Sequence, residues 1–191
     1  MVWKSVWWDK AVTWTLWWGD AMSKTKRLAL CAVLISLALA LSYMERFLPL
    51  QLIVPLPGVK LGLANIVTLI ALYLLGPASA FSVLVPRCIM GAVFGGGITG
   101  LAFSLTGGLL AMSVMVLARK VRYFSVFGVS VLGAAAHSVG QILAAMVLMN
   151  SVYVGAYLPY LLGVSIFTGL ATGTAGAGVL QVLSKTNSWK K

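Results

Sequence analysis

PLPGVKLGLAN, residues 55–65, separates two long apolar runs and decides how the rest of the chain is read. Pro55, Pro57, Gly58 and Gly62 stop any helix arriving from residues 44–50. Proline brings no amide donor, and glycine loosens the backbone. Lys60 then stands at the threshold of the next apolar run, and Asn65 lies just inside it. A cation and an amide at the edge of lipid are costly without a partner or a ligand. The stretch is therefore expected to be a structured loop, the lid and rim of a small-molecule site.

Outward from this loop the chain is 61% hydrophobic and 9% charged, with a mean hydropathy of +1.01. Soluble domains carry about a quarter charged residues, so lipid is the main solvent here. Apolar windows of about 20 residues, enough to cross a ~30 Å hydrocarbon core, recur along the sequence. The fold class expected is an all-α integral membrane protein with six transmembrane helices, at about residues 28–48, 61–75, 78–94, 101–118, 124–149 and 157–183. Spans two and three are the shorter ones, and Pro86 interrupts the third. Irregular backbone at membrane depth is tolerated where it lines a cavity or is buried in protein. Residues 22–191 are read as a single membrane domain. The tryptophan-rich residues 1–21 are expected to be either an interfacial helix or an extension upstream of a natural start at Met22.

Charge fixes the expected topology. Fourteen basic residues against three acidic ones give a net charge of +11, and Glu45 is the only acid after Asp20. The positives gather at span ends, as the positive-inside rule requires, which argues against a nucleic-acid surface. Both termini are expected to be cytoplasmic, with Lys24, Lys26, Arg27, Arg119, Lys120, Arg122, Lys185, Lys190 and Lys191 inside. Only Arg46 and Lys60 then lie near the outer face.

Few polar groups fall within the spans, so each can be weighed. Arg87 lies about halfway along the third span and should face the bundle or a wet cavity. It either pairs with Glu45 or contacts a ligand. Even in the first case Arg46, Lys60 and Arg87 share one acid, a balance that suits an anionic ligand. His137 and Gln141 share one face of the fifth span, either as packing residues or as walls of the same cavity. Asn65 and Thr68 extend that wall or make an interhelical hydrogen bond. Small residues four apart, as in Ala32-Ser36-Ala40, Gly91-Gly95, Ala136-Gly140-Ala144 and Gly169-Gly173-Ala177, permit close helix approach.

Catalytic chemistry finds no footing. Acid–base work lacks a carboxylate pair, and a Ser–His–acid relay has only Glu45 to draw on. Gly95-Gly96-Gly97 lacks the lysine of a phosphate-binding loop. A single histidine without a second ligand at metal spacing does not hold zinc, and Cys31 and Cys88 read as packing residues. No catalytic residue, cofactor or metal is expected.

PGVKLGLAN (57–65), Arg87, FSLTGG (103–108), FSVFGVS (124–130) and GAAAHSVGQ (133–141) together resemble the family labelled Gx transporter, or heptaprenyl diphosphate synthase component I. The resemblance spans about residues 24–183. Ser138 stands where the family pattern often has Asn, so no ligand role is carried to that position. The family is similar to the S components of energy-coupling factor (ECF) transporters. That resemblance implies six helices in the bacterial cytoplasmic membrane and a solute held near the outer face under the loop at 49–60. It also implies a coupling subunit docked on Ala32, Ser36 and Ala40, and ATP hydrolysed by separate cytosolic subunits.

The function expected is a substrate-binding membrane subunit for a small anionic solute such as a vitamin, a flavin or an isoprenoid or quinone precursor. Lys60, Asn65, Arg87, His137 and Gln141 would orient it, with Glu45 and Arg46 at the rim. The alternatives are a non-catalytic membrane partner of a polyprenyl diphosphate synthase and a stand-alone carrier. Prenyl synthases hold magnesium on clustered carboxylates, and one glutamate cannot supply them.

Overall fold

The computed structural model describes residues 22–47, 60, 62–121 and 123–188. Residues 1–21, 48–59, 61, 122 and 189–191 lie outside the described residues, as do the side chains of Arg46 and of residues 184–188. The expectations placed on them, including the lid at 49–59, Arg46 at the rim and the C-terminal lysines, are not carried further.

Six α-helices follow one another among the described residues. They are α1 (Lys24–Met44), α2 (Asn65–Leu75), α3 (Pro77–Gly91), α4 (Gly97–Lys120), α5 (Val126–Leu148) and α6 (Leu158–Ser188). Short helical turns at Glu45–Phe47, Ala92–Gly96 and Val152–Tyr157 lead out of α1, out of α3 and into α6. Ser23 caps α1 by accepting the Lys26 amide at 3.4 Å, and Ser125 caps α5 by accepting the Gly128 amide at 3.3 Å. Each satisfies a donor that the helix start leaves orphaned.

Helix count and span count differ. Four stretches are long and apolar enough to cross a membrane: Lys24–Met44, Pro77–Lys120, Val126–Leu148 and Val152–Leu183. The second, of 44 residues, contains both α3 and α4. Its helical backbone breaks at Phe94 and Gly95, where Gly95 has φ 107°, a conformation open to glycine at little cost. Cys88 meets Ser104 and Leu84 meets Gly108, so α4 runs back antiparallel along α3. Pro86 lies inside α3 without ending it.

α2 is short because it is a core helix. Eleven residues rise about 16 Å, roughly half of a ~30 Å hydrocarbon core. Ten of the eleven are buried, Ile66 being the exception, and the helix packs against α1, α3 and α6. A helix that is apolar all round belongs in an interior. Gly76, at φ 84°, ends it, and Pro77 opens α3 at once.

The remaining helices wrap α2 through close antiparallel contacts. A side chain at Gly140 would come within 2.7 Å of the Gly107 Cα, and one at Gly169 within 2.6 Å of the Val131 Cα. These glycines hold α4 to α5 and α5 to α6 at backbone distance, as small residues do in membrane bundles. Ser130 and Thr172 add a buried hydroxyl pair at 2.7 Å between α5 and α6. By contrast, α1 buries only Leu34 and Ala38. Its Ala32, Ser36 and Ala40 are exposed, and Leu28, Val33 and Met44 are each more than 60% exposed.

Candidate functional site

The polar residues singled out by sequence gather around the N-terminal end of α2. The chain enters α2 through a turn in which Gly62 takes φ 82° and its carbonyl accepts the Asn65 amide at 2.8 Å. The Gly62 amide donates to Glu45 Oε1 at 2.6 Å. Glu45 is only 3% exposed, so it is a buried latch between the end of α1 and the start of α2, not a rim residue. A charge-assisted bond of this kind contributes about 1.5–3 kcal/mol.

That latch changes the reading of Arg87. Its Nη2 donates to Asn65 Oδ1 at 3.3 Å, and the Glu45 carboxylate accepts the Gly62 amide. Of the two alternatives for Arg87, a direct hydrogen bond to Glu45 is not the one formed: the guanidinium bonds Asn65 while the Glu45 carboxylate accepts the Gly62 amide. Among the described residues Arg87 Nε is buried without a hydrogen-bond partner. Thr68 donates to the Asn65 carbonyl within its own helix at 3.0 Å and adds nothing to the wall.

Lys60 reaches the same region from the loop, its Nζ donating to Ser104 Oγ on α4 at 3.2 Å. Lys60, Arg87, Cys88 and Ser104 border a cavity of about 380 Å³, a size within the usual range for small-molecule pockets. Leu39, Ala40, Ser42 and Tyr43 of α1 also line it, together with Gly91 and Phe94. Two cations from separate segments thus face one void. Cys88 donates to the Ser104 carbonyl at 3.5 Å, which tucks the thiol against α4.

His137 and Gln141 do not line this cavity. They stand behind it, in the contact of α4 with α5. A side chain on Gly107 would meet His137 Nδ1 at 2.8 Å, and one on Gly62 would meet His137 Cδ2 at 3.1 Å. The imidazole is therefore packed between two glycines. Both of its nitrogens, and both polar atoms of Gln141, are buried without a hydrogen-bond partner among the described residues. Buried polar groups are normally satisfied by protein or by ordered water, and this layer lies beside Asn65, whose Nδ2 an added Cβ at Gly62 would meet at 2.9 Å.

Residues that the sequence reading passed over are Ser104, Gly62, Tyr43 and Phe94. Ser104 lies in FSLTGG and Gly62 in PGVKLGLAN, so two of the four belonged to motifs already noted. Tyr43 and Phe94 carried no signal, since an aromatic at a span end is ordinary in a membrane protein. Among the described residues no group of His, Cys, Asp and Glu could hold a metal ion.

A second polar cluster sits at the other end of α2. Arg27 donates through Nε to Ser79 Oγ at 2.8 Å and through Nη2 to the Leu75 carbonyl at 3.2 Å. Arg119 Nη1 donates to the Leu72 carbonyl at 2.6 Å, and its guanidinium lies 5.1 Å from the Tyr73 ring centroid. Carbonyls at a helix C-terminus lack intrahelical donors and carry partial negative charge, so both arginines act as caps.

No curated protein and no solved structure matches the chain. The heptaprenyl diphosphate synthase component I model matches residues 34–179, a span that holds the latch, the cavity and the His137–Gln141 layer. With more than half of its length matched in this way, the chain belongs to the heptaprenyl diphosphate synthase component I family.

Proposed function

We propose that this protein is a non-catalytic, multi-pass subunit of a bacterial cytoplasmic membrane. It holds a small anionic solute between Lys60 and Arg87 and serves as the substrate-binding component of an ECF-type importer. The observation that carries the reading is the convergence of two cations from separate segments on one cavity of about 380 Å³. In this reading Lys60 and Arg87 bind the solute, Asn65 positions Arg87, and His137 and Gln141 support the site from behind. The solute is a carboxylated or phosphorylated vitamin, a flavin, or an isoprenoid or quinone precursor.

Six spans with both termini inside is the topology proposed, the short α2 with the turn before it forming the second crossing, shielded from lipid by its neighbours. In its favour, Arg27 and Arg119 meet at one end of α2, as two clusters of cytoplasmic positive charge should, while Lys60 lies toward the other. The exposed Ala32, Ser36 and Ala40 on α1 are the proposed seat of a coupling subunit that works with cytosolic ATPases.

The family description favours a second reading, a membrane partner that recruits a polyprenyl diphosphate synthase. Affinity purification of the full chain from its native membrane separates the two: ATPase subunits support the importer, and a soluble synthase without them supports the partner. The site itself is tested by titrating purified protein with phosphorylated and carboxylated vitamins. Lys60→Ala and Arg87→Ala should each weaken binding at least about tenfold, the order expected for losing one charged hydrogen bond, with the helical circular dichroism unchanged. Equal affinity in wild type and both variants would remove the proposed site.

A further inference from the structure

The cavity has two unlike sides. Its cationic side is deep, with Arg87 7% exposed and Cys88 3% exposed. Its other side is apolar and open: Tyr43 and Phe94 line it yet remain 55% and 62% exposed. Leu39 and Ala40 continue that wall along α1, a helix that leaves most of its surface exposed. Gly91 stands beside them, where an added Cβ would reach ordinary van der Waals contact with Leu39 Cδ2 at 3.9 Å, so α1 and α3 approach closely at this level. Tyr43 and Phe94 thus give the cavity an exposed apolar edge, a slot between the end of α1 and the α3–α4 break. Phe94 borders it because the helical backbone breaks at residues 94 and 95.

A wholly hydrophilic anion would satisfy the deep side and leave the apolar wall unused. From this asymmetry we infer that the ligand is an amphiphile. A phosphate or carboxylate head sits on Lys60 and Arg87, and an apolar chain or ring lies against Leu39, Tyr43 and Phe94, leaving between α1 and the α3–α4 break toward the bilayer. The inference rests on the anion-binding reading above and narrows its substrate class. Counted from water, burial of each methylene in the slot strengthens binding about fourfold, so relative to inorganic phosphate the tail supplies affinity and the two cations supply head selectivity.

The test uses full-length protein in phosphatidylcholine nanodiscs with three probes: decyl phosphate, inorganic phosphate and decanol. Decyl phosphate should bind at least tenfold more tightly than either of the others. Lys60→Gln and Arg87→Gln should reduce decyl phosphate binding about tenfold and leave decanol unchanged. Ala40→Trp, which fills the slot from the exposed face of α1, should lower decyl phosphate affinity to the level of inorganic phosphate. Repeating the titration with phosphatidylglycerol in the nanodisc identifies the source of the head group. Competition marks a resident phospholipid and its absence a free amphiphile, and both outcomes support a head-and-tail site. Inorganic phosphate binding as tightly as decyl phosphate would overturn the amphiphile and leave the anion cavity standing. Decanol matching decyl phosphate would overturn the role of the head, and an absence of binding by either phosphate would overturn the anion cavity along with this inference.

Discussion

At its C-terminal end α2 meets Arg27 and Arg119, and at its N-terminal end it meets Arg87, with Lys60 beside it. The first two guanidinium groups donate to the Leu75 and Leu72 carbonyls. Arg87 bonds one amide oxygen, keeps a buried Nε without a hydrogen-bond partner among the described residues, and faces a cavity that Lys60 shares. Helix polarity makes the difference. Carbonyls at the C-terminal end carry partial negative charge and welcome cations, by about 0.3–1 kcal/mol in exposed settings and up to about 2 kcal/mol when partly buried. The N-terminal end has no such carbonyls, and among the described residues one carboxylate, Glu45, stands there against the two cations Lys60 and Arg87. One end closes the fold, and the other borders the cavity proposed to hold a ligand.

Substitutions at the two ends should therefore separate binding from stability. The largest effect is expected from Lys60→Ala combined with Arg87→Ala. Solute affinity in a titration should fall about 100-fold, the sum of two charged hydrogen bonds at ~1.5 kcal/mol each, with little change in the thermal midpoint. A fall in stability without loss of binding would erase the distinction between the ends. Next in size is Arg119→Met, which uncovers the Leu72 carbonyl and removes the cation over Tyr73. A loss of about 2 kcal/mol is expected in denaturant unfolding, with solute affinity per folded molecule unchanged.

Arg27→Ala should cost about 1 kcal/mol by the same measurement, because Arg27 is only half-buried and water can replace part of its bonding. The smallest effect is expected at Gln141→Met. Both polar atoms of Gln141 lack a hydrogen-bond partner among the described residues, and an apolar side chain of similar shape removes that deficit, so stability should stay within about 1 kcal/mol of wild type. Solute affinity should change less than for Lys60→Ala. A larger loss would show that the ligand reaches past Arg87 to the histidine layer and would extend the open end inward.

The helical fold was legible from hydrophobic runs and their breaks. Gly76-Pro77 ends α2 and starts α3 as expected, and the glycines at 95–97 mark the return from α3 to α4. The nature of α2 was not legible. Residues 61–75 read as a short span, and what the sequence left open is that the helix there, Asn65–Leu75, is buried on nearly every side; an apolar run facing lipid and one facing other helices have the same composition. Burial on every side is decided by neighbours distant in sequence, here Gly176 against Leu69 and the two arginine caps.

Sequence by itself determined that this chain is helical and lipid-solvated, that Lys60 and Arg87 are the cations most in need of a reason, and that carboxylates are too few for metal-dependent chemistry. Those conclusions follow from residue types and from the cost of placing charge near lipid. Tertiary structure alone decided which partner each polar group takes. It gave Glu45 to the Gly62 amide, Arg87 to Asn65 and Lys60 to Ser104, and it set His137 and Gln141 behind the cavity. Hydrogen bonds act over about 3 Å, and the order of residues along a chain does not specify which atoms a folded bundle brings within that distance.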